Sequence, residues 1–175
     1  PSPGDRWWEL LNQHGEGIVD FALLPPGTAA TVKGANERGL AYSGPHDGGR
    51  LRPDGERLQW QTARPPSTDL PFLCGDITPR ALRVPEGDAR VHPNGARSVL
   101  SLSIAVDDLD ASLARYRALL GEAQGTHIGT PFVLPGAAAR VATIALGATT
   151  LVLTQPTQSA APHAAGAQQL ATRGP

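Results

Sequence analysis

A chain of 175 residues is long enough for one domain or for two small halves sharing a core. Its 40% hydrophobic content supports a folded interior, but with three Trp, two Tyr and three Phe the small aliphatics must do most of the packing. A net charge of −1, from 15 basic and 16 acidic residues, excludes the basic face of an electrostatic nucleic-acid binder, and no apolar run approaches the ~18 residues that span a bilayer.

Residues 1–16 read as an N-terminal linker helix. Asp5 is placed to cap a helix over 6–13, whose apolar residues are Trp7, Trp8, Leu10 and Leu11, the tryptophans serving as packing anchors. Residues 17–76 then read as strand, helix and three strands. The first strand is 18–24, ended by Pro25-Pro26-Gly27. Thr28 is placed to cap a helix over 28–38 with Ala29, Ala30, Val32 and Ala35 inward. Gly34 costs that helix about 1 kcal/mol relative to Ala, and Gly39 stops it. Residues 40–43 make a short strand and GPHDGG a loop. A hairpin follows over 50–62, its strands RLR and RLQWQT joined by Pro53-Asp54-Gly55, in which Pro presets a turn angle and Gly takes the left-handed position. PFLCG is the last short strand. Residues 77–97, with little apolar periodicity, are a linker.

The stretch at 98–156 repeats the order. Residues 99–106 alternate, Leu100, Leu102, Ile104 and Val106 on one side and Val99, Ser101, Ser103 and Ala105 on the other, which is the period of a strand with two different faces. Asp107 or Asp108 can cap the helix that follows, and Asp110 adds negative charge near the positive end of its dipole. Leu109, Leu113, Tyr116 and Leu120 form its apolar stripe, Arg115 and Arg117 lie toward its end, and Gly121 stops it. Residues 127–134 read as a strand broken at Pro131, then 139–146 and 149–154 as two clean strands around a tight Gly147-Ala148 turn. Residues 157–175 are a flexible tail with a weak helix at 168–172.

The strand ending V-D-D-L-D and the helix ending Y-x-x-L-L-G resemble the opening of a βαβββ module of the vicinal oxygen chelate superfamily, which includes glyoxalases, bleomycin-resistance proteins and dioxygenases. The RPDG, PFL, D-x-TPR and HPNGA segments resemble glyoxalase-like proteins of bacteria in particular. The resemblance spans residues 15–156. It implies an α+β fold of two βαβββ modules forming curved mixed sheets, with a concave cup and the helices on the convex face. Ser101 and Ser103 would then line the cup.

The resemblance also implies where metal ligands would stand. Enzymes of the superfamily place a His on the first strand of a module and a Glu in the middle of the last; here those positions hold Ser101 and Val152. In the first module Asp20 and Cys74 fall near such positions, and one Asp with one Cys is a poor set for a divalent metal. No metal site is expected within this chain, and no cofactor. A divalent metal would need residues outside it. His14, His46 and His163 read as solvent-exposed, His92 as a turn residue in HPNG, and His127 as a side chain near the mouth of the cup. No H-x-x-x-H, C-x-x-C, nucleophile-elbow or phosphate-loop spacing occurs. In the hairpin, Arg50, Arg52, Arg57 and Trp60 lie close in sequence. An Arg on a sheet face beside a large aromatic can take a carboxylate through a forked hydrogen bond or an aromatic ligand by stacking.

The expected function is a glyoxalase-like domain protein that binds a small organic molecule in a metal-free cup, through Ser101, Ser103, Arg52, Trp60 and His127. The alternative is a metal-dependent lyase or dioxygenase of the same superfamily whose ligands lie partly outside the chain. Expected partners are a small-molecule ligand and either a second copy or a further βαβββ module, with no nucleic acid and no membrane. The single Cys74 excludes an intramolecular disulfide and fits a reducing, cytoplasmic setting. No signal-peptide pattern opens the sequence, and the lack of any Met reads as a fragment or a processed chain.

Overall fold

The computed structural model describes residues 6–122 and 125–157; Asp5, His163 and the tail helix expected at 168–172 lie outside them. The chain divides into two units, one of residues 22–100 with 118–121, the other of residues 6–21, 101–117 and 122–157. A helix, α1 (Arg6–His14), comes first. Trp7 and Leu11 on it are exposed and Trp8 and Leu10 half-buried, so Trp7 is not the core anchor its size suggests.

The first module contains β1 (Ala22–Leu23), α2 (Thr28–Glu37), β2 (Ser43–Leu51), β3 (Arg57–Arg64) and β4 (Phe72–Asp76). Its sheet has the order β1-β4-β3-β2, with β1 parallel to β4 and the other pairs antiparallel. The second contains β5 (Ser101–Ala105), α3 (Leu109–Leu120), β6 (Thr126–Ile128), β7 (Phe132–Leu134), β8 (Ala139–Leu146) and β9 (Thr149–Pro156). Its order is β5-β9-β8-β6, with β7 also on β8 and β5 parallel to β9. β6 and β7 are two pieces of one strand position, interrupted where Pro131 lacks the N–H a ladder needs. The fold is therefore α+β, two βαβββ modules with the same strand order.

Several elements differ from the sequence expectation, each for a physical reason. The strand expected over 18–24 shrinks to two residues. β1 pairs with Phe72 and Leu73, and the next position back on β4 is Pro71, which cannot continue the ladder. Ile18 is left 80% exposed. GPHDGG is strand, not loop. β2 is an edge, where Pro45 is tolerated, and its glycines answer to the partner strand: a Cβ on Gly48 would strike the Trp60 indole, and one on Gly49 would come within 2.9 Å of the Leu58 carbonyl oxygen. The turn at Pro53-Asp54-Gly55 is as expected, Gly55 adopting φ 87° and donating its N–H to the Arg52 carbonyl at 3.0 Å.

Thr28 is not the cap of α2. Gly27, in extended backbone, is, and Thr28 turns inward with Val32 and Ala35 while Ala29 and Ala30 stay exposed. Its Oγ1 meets the α-carbon side of Gly75, which fixes the sheet face that α2 covers. β5 begins at Ser101 rather than at residue 99, because its partner β9 begins only at Thr149, just after the Gly147-Ala148 turn; Val99 and Leu100 are exposed. In α3 the buried stripe is Leu109, Ser112, Leu113, Tyr116 and Leu119, so Leu119 takes the place expected of Leu120.

The D-D-L-D corner resolves into separate roles. The Asp108 carboxylate accepts from the Ala111 N–H at 3.0 Å and is the cap. The Asp107 carbonyl accepts from the Gln155 amide at 2.7 Å, while Gln155 Oε1 accepts from the Leu109 N–H at 3.4 Å. Asp110 takes both Nη atoms of Arg140, at 3.1 and 3.2 Å. Among the described residues no helix is long and apolar enough to cross a membrane.

Candidate functional site

Each sheet has one face covered by its helix; its opposite, open side is exposed only in part, with Leu58 buried there in the first module and Ala105, Ala139 and Val141 in the second. In the second module Arg140 and Gln155 reach the start of α3, so the strand residues alternating with them, Ala142, Ile144, Leu151 and Leu153, lie on the helix side, and all four are buried. Strand alternation leaves Ser101 and Ser103 of β5, Thr150, Val152 and Thr154 of β9, Thr143 and Ala145 of β8 and His127 of β6 on the open side. Register arranges them in rows. Ser101, Thr150, Ala145 and His127 form one row across four strands, and Ser103, Val152 and Thr143 form the next. Gly129 continues that second row; a Cβ there would come 3.0 Å from Thr143 Oγ1. The result is a mixed face, the hydroxyls of Ser101, Ser103, Thr143, Thr150 and Thr154 set among Val141, Ala145, Val152 and Phe132, with an imidazole at one side. Among the described residues its strands place no Lys, Arg, Asp or Glu on this side.

Ser101, Ser103 and His127 thus share a face. Ser101 and His127 are nonetheless three strand spacings apart, about 14 Å, so they can touch one organic ligand but not one metal ion. Ser101 offers a neutral hydroxyl and Val152 no lone pair. Among the described residues no three His, Cys, Asp or Glu side chains converge as a metal site would require. Among the described residues, the side chains on this face are not a set of ligands that fits a divalent metal.

Trp60 and Arg52 belong to the first module. Trp60 is half-buried on the open side of its sheet, opposite Gly48 and Asp76. Arg52 lies in the hairpin turn, where it binds Asp54 at 2.9 Å. β3 starts at Arg57, three residues and about 10 Å from Trp60, so the turn holds Arg52 away from the indole. Arg50 of β2, opposite Leu58, shares the face of Trp60, and two linker arginines reach Asp76, the cross-strand neighbour of Trp60. Arg83 gives Nε and Nη2 to the Asp76 carboxylate at 2.6 and 2.9 Å, and Arg80 Nη1 stands 3.8 Å from it. Arg83's hydrogen bonds hold the Asp76 carboxyl below its ordinary range against the opposing effect of burial, and Asp76 raises Arg83 in return. Asp76, Arg80 and Arg83 stand at i, i+4 and i+7 within DITPRALR; the spacing was readable, but only the turn after β4 shows that it folds back onto the sheet. Thr143, Thr150 and Thr154 were missed because strand pairing, not local sequence, gathers them.

A family model described as a glyoxalase-like domain matches residues 1–120. The chain belongs to the glyoxalase-like domain family. Among solved structures it is similar to a hypothetical protein from Staphylococcus aureus, with a TM-score of 0.57 and 11% identity over 84% of this chain and 57% of that one. It is also similar to a glyoxylase/bleomycin resistance protein/dioxygenase domain from Frankia sp. EAN1pec, with a TM-score of 0.44 and 13% identity over 83% of this chain and 95% of that one. A third likeness is to TnmS3, an antibiotic binding protein from Streptomyces sp. CB03234, with a TM-score of 0.37 and 18% identity over 81% of this chain and 97% of that one. The first likeness supports the fold; the glyoxalase-like domain spans only 57% of that Staphylococcus protein. No curated protein matches the sequence.

Proposed function

We propose that this glyoxalase-like domain binds a small organic molecule on the open faces of its sheets without a divalent metal of its own. One observation carries the reading: the face that holds Ser101 and Val152, where related enzymes place metal ligands, has uncharged strand side chains, hydroxyls for hydrogen bonding set among apolar Val141, Val152 and Phe132. The rival reading, a lyase or dioxygenase acting through a chelated metal, needs ligands supplied from outside these residues.

Calorimetry and thermal unfolding decide between them. Chelator-treated protein, screened against neutral and anionic aromatic and polyhydroxylated compounds, should gain thermal stability from at least one compound, with no loss of effect in EDTA. Titration with zinc, manganese and ferrous iron should give no stoichiometric heat. A metal site of micromolar or tighter affinity, abolished by His127→Ala, would overturn the proposal and put the metal-dependent enzyme first.

A further inference from the structure

At the end of β4 the first module assembles a group that pairs an aromatic surface with surplus positive charge. Trp60 lies opposite Gly48 and Asp76 on the open face. The indole sits directly over Gly48, where any Cβ would collide with Nε1 and its neighbouring ring carbons. The ring is half-buried and brings its Nε1 side to Gly48. Asp76 is its cross-strand neighbour, with Cβ atoms about 5 Å apart.

Two guanidinium groups meet that one carboxylate. Arg83 engages both its oxygens, at 2.6 and 2.9 Å, through Nε and Nη2, which leaves Nη1 uncommitted. Arg80 approaches only to 3.8 Å, beyond hydrogen-bond distance; its side chain is 50% exposed and makes no hydrogen bond among the described residues. Arg80 and Arg83 exceed the Asp76 carboxylate by one positive charge, Arg50 shares the face of Trp60 opposite Leu58, and the spare N–H donors have the fork geometry that matches a carboxylate. A neutral ring would leave those donors unused.

We propose that Trp60, Arg80 and Arg83 bind a planar aromatic monocarboxylate, its ring stacked on the indole and its carboxylate on the free guanidinium donors. The inference rests on the small-molecule reading above and names a ligand class for one of its faces.

The test is calorimetric titration of the full chain with 1-naphthoate and with 1-naphthylmethanol, which share a ring and differ in charge. The acid should bind about tenfold more tightly than the alcohol. Arg80→Gln should abolish that preference, leave the alcohol's affinity unchanged and leave the thermal midpoint unchanged, since Arg80 is exposed. Trp60→Leu should weaken both compounds by about tenfold. A preference that survives Arg80→Gln, or an acid that binds no better than the alcohol, overturns the assignment; if the alcohol still binds, the small-molecule reading stands without it. Binding of neither compound also overturns the assignment, while the wider compound panel decides the small-molecule reading separately.

Discussion

Leu113 is 1% exposed in the middle of the α3 stripe, whereas Ser101 lies exposed on the opposite side of its sheet. Leu113→Ala should therefore destabilise the fold by about 2–5 kcal/mol, through lost burial and the cavity left behind. Ser101→Ala should stay within about 0.5 kcal/mol. Urea titration reads both, and the reverse order would mean that the two faces of β5 are exchanged. Asp76 gives a pH-dependent counterpart. Its side chain is 12% exposed and its folded pKa lies below the ordinary value, so the ion pair's contribution is complete above the unfolded carboxyl's value and fades as pH falls through the folded one. Asp76→Asn should cost about 1.5–3 kcal/mol at neutral pH, as for a hydrogen bond to a charged group. The gap between wild type and variant should begin to close below about pH 4. Denaturation midpoints that run parallel from neutrality down to pH 2 would show that the pair adds nothing to stability.

At the scale of elements, the start of α3 makes the sharpest claim. Sequence leaves Asp107 and Asp108 as equal caps; the structure gives the carboxylate hydrogen bond to Asp108 and uses the backbone carbonyl of Asp107. Asp108→Ala should cost about 1 kcal/mol, and Asp107→Ala clearly less, in the same denaturant assay. Equal losses would return the ambiguity. Gly34 shows a residue whose meaning lies outside its own helix. Judged by propensity it only weakens α2. In the fold, Arg38 lies beside it and donates to the carbonyls of Ala118 at 2.7 Å and Leu119 at 3.2 Å, and a Cβ on Gly34 would come 3.2 Å from that guanidinium. Arg38 thereby satisfies carbonyls in the last turn of α3 that have no partner within their own helix. Gly121, which ends α3 at φ 57°, would bring its own Cβ within 3.1 Å of the same group.

Over the whole molecule, the sequence by itself determined what local periodicity and punctuation determine. Alternation at 101–105 set which side of β5 carries Ser101 and Ser103, an acidic cap and Gly121 bounded α3, and the repeated order of elements gave two βαβββ modules. These features depend on neighbours a few residues away, so they are legible without a partner strand. Tertiary structure alone decided the rest. Glycines that suggest a loop in GPHDGG are required inside β2 because Trp60 and the Leu58 carbonyl occupy the space above and beside them. The hydroxyls of Thr143 and Thr150 join those of Ser101 and Ser103 only when β8 and β9 pair in one register. Of the arginines that sequence proximity offers to Trp60, a tight turn commits Arg52 to Asp54 while pairing keeps Arg50 on the same face, and the chain after β4 brings Arg80 and Arg83 to the neighbouring Asp76. Proximity along a strand moves residues apart by about 3.3 Å per position and alternates their faces, whereas pairing brings distant residues within about 5 Å on the same face. Local sequence thus determined the elements, and cross-strand register decided which side chains share a site.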